Sequence, residues 1–72
     1  MRTEISSFIK QRRKRLEITQ SDLALRAGVG LRFIRELEQG KKSLRMDKVN
    51  QVLALFAHEL GPVKSQPETN DD

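Results

Sequence analysis

The chain has 72 residues, with 14 Lys and Arg against 10 Asp and Glu for a formal charge of +4, no Cys and one His. A chain this short makes one small domain that buries only about 60% of its unfolded surface, so a self-sufficient enzyme is a poor expectation and a second copy or partner would help. Without Cys there are no disulfides or thiolate metal sites, and His58 alone makes no ligand cluster, so neither metal nor cofactor is expected.

Met1 to Lys10 contain Arg2, Glu4 and Lys10 and no long apolar run, which argues against a secretory signal or membrane span and for a cytoplasmic protein. The first helix is expected over Thr3 to Leu16, because Ile5, Phe8, Ile9 and Leu16 share one helical stripe. Arg12 falls inside that stripe and is expected to snorkel from a thin part of the core. Arg13 lies at its edge, while Lys10, Lys14 and Arg15 point away.

The second helix has a clear start signal. Thr19 can cap the amide of Asp22, with Ile18 and Leu23 placed as a hydrophobic staple, although Asp22 stands where a capping box usually has Glu or Gln. Leu23, Ala24 and Ala27 form its buried edge, and Gly28 ends it where a left-handed residue costs glycine least. Val29 and Gly30 turn the chain into a third helix from Leu31 to Gln39, where Val29 and Ile34 make a second staple. On a wheel of about 100° per residue, Ile34 and Leu37 face one way, Arg32, Arg35 and Glu36 the other, with Leu31 and Phe33 flanking the polar face. Gly40 stops this helix, and Lys41, Lys42, Ser43 and Arg45 form a basic loop.

The fourth helix is expected over Met46 to Ala57, with Met46, Val49, Val52, Leu53 and Phe56 closing the core and Leu55 off the stripe. Gly61 and Pro62 break it, and Glu59 to Lys64 suit a short extended strand. Residues 65–72 hold three carboxylates and no base, which leaves residues 1–64 with fourteen bases against seven carboxylates, or +7. A basic body suits a polyanion and equally a solvated charged surface. The tail is expected to be disordered and the domain to span residues 1–64. The expected fold is therefore an all-α small helical bundle.

Two short helices joined at Gly28 to Gly30, with arginines on the open face of the second, have the layout of a helix-turn-helix. Arg32 and Arg35 carry the planar fork that binds guanine O6 and N7, and Leu31, Phe33 and Glu36 adjoin them. Glu36 either accepts from a cytosine amine or aims a neighbouring arginine. Phe33 either meets a thymine methyl or packs on the second helix. Lys41, Lys42, Ser43 and Arg45 are the candidates for phosphate contact. Because one such helix reads few base pairs, two copies on half-sites about 34–36 Å apart are expected, with Leu55, Leu60, Pro62 and Val63 at the dimer interface. The serines have no nearby base, His58 sits exposed near a helix end, and without Tyr or Trp the chain is poorly equipped to stack on RNA.

Thr19-Gln20, Leu23-Ala24, Gly28-Val29, Ile34, Leu37-Glu38 and Gly40 fall in the register of the Cro and phage-repressor (XRE) superfamily, which the chain resembles over roughly residues 5–60. Within it, Gly28 to Ile34 and the short chain are most similar to HipB-like antitoxins. The resemblance implies a lambda repressor-like domain, a bacterial, nucleoid-associated location, Gln20 beside a backbone phosphate, and Arg13 paired with Glu38 while still near the phosphates. It implies a repressor of a palindromic operator in double-stranded DNA, with a HipA-like kinase toxin as partner and no small-molecule ligand. The alternative is a stand-alone phage-type or housekeeping repressor. Gly30 and Phe33 depart from the family, which often has Ser or Thr at the first position and a small polar residue at the second.

Overall fold

A computed structural model describes residues 4–64. Four helices follow one another: α1 (Glu4–Arg15), α2 (Gln20–Ala27), α3 (Leu31–Gln39) and α4 (Met46–Ala54). The fold is all-α, as expected, and Glu59 to Lys64 run as irregular chain, with no strand among the described residues of the single copy. Thr3, expected in the first helix, and the tail 65–72 lie outside the described residues. No described helix is long and apolar enough to cross a membrane.

The core is the sum of the helical stripes. Ile9 from α1, Leu23, Ala24 and Ala27 from α2, Ile34 and Leu37 from α3, and Val49, Val52 and Leu53 from α4 are buried together. α3 packs on both α1 and α2, and α2 also on α4, so the exposed face of α3 is backed by two helices. α4 is tied to the turn after α2 by Gln51, whose Nε2 donates to the carbonyls of Ala27 at 3.2 Å and Gly28 at 3.4 Å.

The helix ends explain where the expected boundaries held and where they moved. The capping box before α2 is complete: Thr19 Oγ1 accepts from Asp22 N at 3.0 Å, and Asp22 Oδ2 accepts from Thr19 N at 3.1 Å. α2 and α3 end on left-handed glycines, Gly28 and Gly40. In each case the next amide donates back across the last turn, Val29 N to Ala24 O and Lys41 N to Glu36 O, both at 3.0 Å, which completes a Schellman motif. α1 and α4 end the same way without glycine. Glu17 (φ 56°) and Ala57 (φ 58°) take the left-handed position, and Ile18 N and His58 N donate to Arg13 O and Leu53 O.

Three expectations are corrected, the first and third by those two turns. Leu16, placed in the core stripe, is 52% exposed, because the chain leaves helical geometry after Arg15 and Ile18 packs against the core instead. Met46 is 71% exposed: it opens α4, whose buried stripe begins at Val49. α4 stops at Ala54 and not Ala57, yet Phe56 still reaches the core from the turn and meets Phe8 edge-on at 6.3 Å. Arg12 lies with its guanidinium carbon 4.8 Å from the centroid of the Phe8 ring, a cation–π contact in place of simple snorkelling.

Candidate nucleic-acid interface

A buried polar junction sets the angle of α3. Glu38, near the end of α3, has a side chain only 2% exposed and accepts from Arg13 of α1 through Nε at 2.7 Å and Nη2 at 3.1 Å. Gln20, the first residue of α2, donates its Nε2 to the same carboxylate at 3.1 Å. Arg13 also donates Nη1 to Ile18 O at 3.0 Å, across the turn between α1 and α2. The planar guanidinium fork suits this bidentate role, and its pKa is raised, chiefly by the hydrogen bond to Glu38 and against the effect of burial. One carboxylate therefore joins three helices.

This junction alters what Arg13 and Gln20 can offer to a phosphate. Arg13 is only 14% exposed and spends most of its fork on the scaffold, while the Gln20 amide is turned towards Glu38. What remains for an anion near Gln20 is the start of α2, where amides without intrahelical acceptors point outward.

α3 carries its two arginines outward. The Arg32 side chain is 92% exposed, and Arg35 is also exposed. Leu31 and Phe33 beside them are half-buried and pack against the core. Glu36 sits between cations: its Oε2 lies 3.3 Å from Arg32 Nε and 3.4 Å from Lys41 Nζ.

Lys41, Lys42 and Ser43 are exposed in the loop after α3. Arg45 forms a two-toothed pair with Asp47, Nη2 to Oδ2 at 2.7 Å and Nε to Oδ1 at 3.1 Å, and this hydrogen bonding holds the Asp47 carboxyl below its ordinary pKa. Arg45 is thus the most engaged of the loop cations. Arg32, Arg35, Lys41, Lys42 and Ser43 remain as one outward-facing group along α3 and the loop after it.

Sequence reasoning missed the junction at Gln20 and the contact of Lys41 with Glu36. The second follows from the turn at Gly40, whose hydrogen bond from Lys41 N to Glu36 O folds the chain back over Glu36. The Arg32 to Glu36 spacing of four was the visible half of that arrangement. Of the residues expected between copies, Leu55, Pro62 and Val63 are exposed, while Leu60 is half-buried against the core, with its amide donating to Asn50 Oδ1 at 2.7 Å.

Two short helices packed through a glycine turn, the second held open and bearing arginines, agree with a match of residues 9–59 to the helix-turn-helix family. The chain belongs to the helix-turn-helix family. It is also 46% identical, over 50 residues, to a protein of Sinorhizobium fredii (strain NBRC 101917 / NGR234) called an uncharacterized HTH-type transcriptional regulator y4mF. That stretch covers 69% of this chain and 66% of the relative, so the chain spans just under two thirds of the relative's length. In this helix-turn-helix, α2 and α3 are the paired helices and Gly28 to Gly30 the turn.

Proposed function

We propose that this chain is a transcriptional regulator that binds double-stranded DNA, laying α3 in the major groove. The observation that carries the reading is the outward display of Arg32 and Arg35 on a helix whose opposite side is fixed by the Arg13–Glu38–Gln20 junction. Arg32 and Arg35 read base edges, with Glu36 beside them and Leu31 and Phe33 at the rim; Lys41, Lys42, Ser43 and Arg45 hold phosphates, as do the start of α2 at Gln20 and the remaining edge of Arg13. The body, residues 1–64, supplies the positive field and residues 65–72 an acidic extension. The family match and the naming of the Sinorhizobium relative as a transcriptional regulator support a regulatory role.

The regulator works as a homodimer on a palindromic operator, with no small-molecule ligand, and acts as a repressor in the cytoplasm. Leu55, Pro62 and Val63, with Leu60 beneath them, supply the apolar contact between copies. Sedimentation of the full chain at tens of micromolar tests this: a dimer is expected, and a monomer alone would contradict it. The narrower role, antitoxin to a HipA-like kinase toxin, is carried by the sequence resemblance around Gly28 to Ile34. A kinase-like neighbouring gene whose product co-purifies with the chain would establish it.

The test of DNA binding is a fluorescence titration of the full chain on duplexes selected from a random pool and on scrambled ones. Tight, salt-sensitive binding with a preference for the selected duplex is expected; equal binding to both would contradict sequence reading.

A further inference from the structure

Glu36 places a carboxylate on α3 beside the outward arginines, an unfavourable group to bring among phosphates unless it does something there. Its position says what. Oε2 lies 3.3 Å from Nε of Arg32, four residues earlier on the same helix, and 3.4 Å from Nζ of Lys41. A guanidinium held through Nε has one edge taken, and the edge left free is the end-on pair Nη1 and Nη2. That pair matches the spacing of guanine O6 and N7. Among the described residues the Arg32 side chain makes no other hydrogen bond or ion pair and is 92% exposed, so Glu36 is the contact that limits its rotamers.

Resting on the DNA-binding reading, we infer that Glu36 is a specificity-determining positioning residue: it clamps Arg32 for end-on recognition of one guanine and penalises duplexes that lack that guanine. In water an exposed pair of this kind contributes little. Once α3 enters the groove and water leaves, the lower dielectric strengthens the pair. Lys41 shares the oxygen in the free protein and can move to a phosphate, which leaves the carboxylate to Arg32 alone. On a duplex with guanine in place, Arg32 keeps both the clamp and the base. Without it, the Glu36 charge faces phosphates with only partial compensation.

The experiment is selection of duplexes from a random pool by the full chain and by its Arg32→Ala and Glu36→Gln variants, followed by titration on the selected and scrambled duplexes. Wild type is expected to select a guanine whose preference is lost in both variants at the same base pair. Glu36→Gln is expected to bind the scrambled duplex more tightly than wild type while its preference for the selected duplex falls about ten-fold. Circular dichroism of Glu36→Gln checks that the fold is kept, which the near-equal volume of glutamine leads us to expect at this half-buried position. Glu36→Gln retaining the guanine preference would overturn the inference, as would a loss confined to a different, cytosine-bearing pair, which would make Glu36 a direct reader. If wild type enriches no sequence while binding duplexes, specific reading itself fails; if it enriches one and only the Glu36 effect is missing, the clamp alone fails.

Discussion

Glu38 shows what a single residue can contribute to this fold. Its carboxylate is buried and meets Arg13 and Gln20, so removing it leaves the Arg13 guanidinium in a poorly solvated place without its counter-charge. Breaking such a pair from one side costs about 3–5 kcal/mol, whereas the whole domain is worth only roughly 4–11 kcal/mol. Glu38→Ala is therefore expected to lower the urea midpoint steeply, and a shift worth under about 1 kcal/mol would show the junction to be dispensable. The resemblance, and not helix periodicity, made the Arg13–Glu38 pair legible, because the stripe alone marks Glu38 as a surface residue. Asp22 acts on a smaller scale. Its carboxyl is held below the ordinary value of 3.8, first by the Thr19 backbone amide and then by the Thr19 hydroxyl. A folded pKa depressed in this way gives stability that is present above the unfolded pKa and is lost as pH falls through the folded one. Urea midpoints of wild type are expected to fall more steeply below about pH 4 than those of Asp22→Asn. Parallel curves would show that the capping box has no pH-dependent part.

At the scale of elements, the helices themselves were legible because each has a stripe, and the ends of α2 and α3 because glycine marks them. The ends of α1 and α4 were not legible, since Glu17 and Ala57 take the left-handed position that the sequence gives no sign of. That is why Leu16 and the last turn of the fourth helix were misplaced. A non-glycine residue there bears a steric cost of roughly 1–2 kcal/mol, partly offset by the extra freedom glycine has when unfolded. Ala57→Gly is thus expected to stabilise the domain by up to about 1 kcal/mol, or roughly 4–8 °C in Tm. No change, or a loss, would contradict the left-handed turn. Gly30 offers the opposite test. It caps α3 with ordinary extended geometry and no side-chain bond, and an added Cβ would meet nothing within 4 Å. Gly30→Ser is expected to raise stability by several tenths of a kcal/mol through a new cap and a stiffer unfolded chain, read from urea midpoints. A fall would show that the position does not behave as a helix cap.

For the whole molecule, the sequence made the display face legible as arginines on the far side of a helical stripe, and left its coupling to the rest hidden. That coupling is three-dimensional: Gln20 reaches Glu38 only because α2 begins beside the end of α3, and Lys41 reaches Glu36 only because Gly40 folds the chain back. The molecule amounts to a small core whose polar junction holds one helix rigid and whose basic surface is gathered beside it. The most direct test of the proposal that this surface reads duplex DNA is a titration of wild type, Arg32→Ala and Lys42→Ala on a selected and a scrambled duplex. Arg32→Ala is expected to lose about 1–3 kcal/mol on the selected duplex and little on the scrambled one, while Lys42→Ala weakens both alike. Equal losses for the two variants on both duplexes, or no binding of wild type to duplex DNA in dilute salt, would contradict the account.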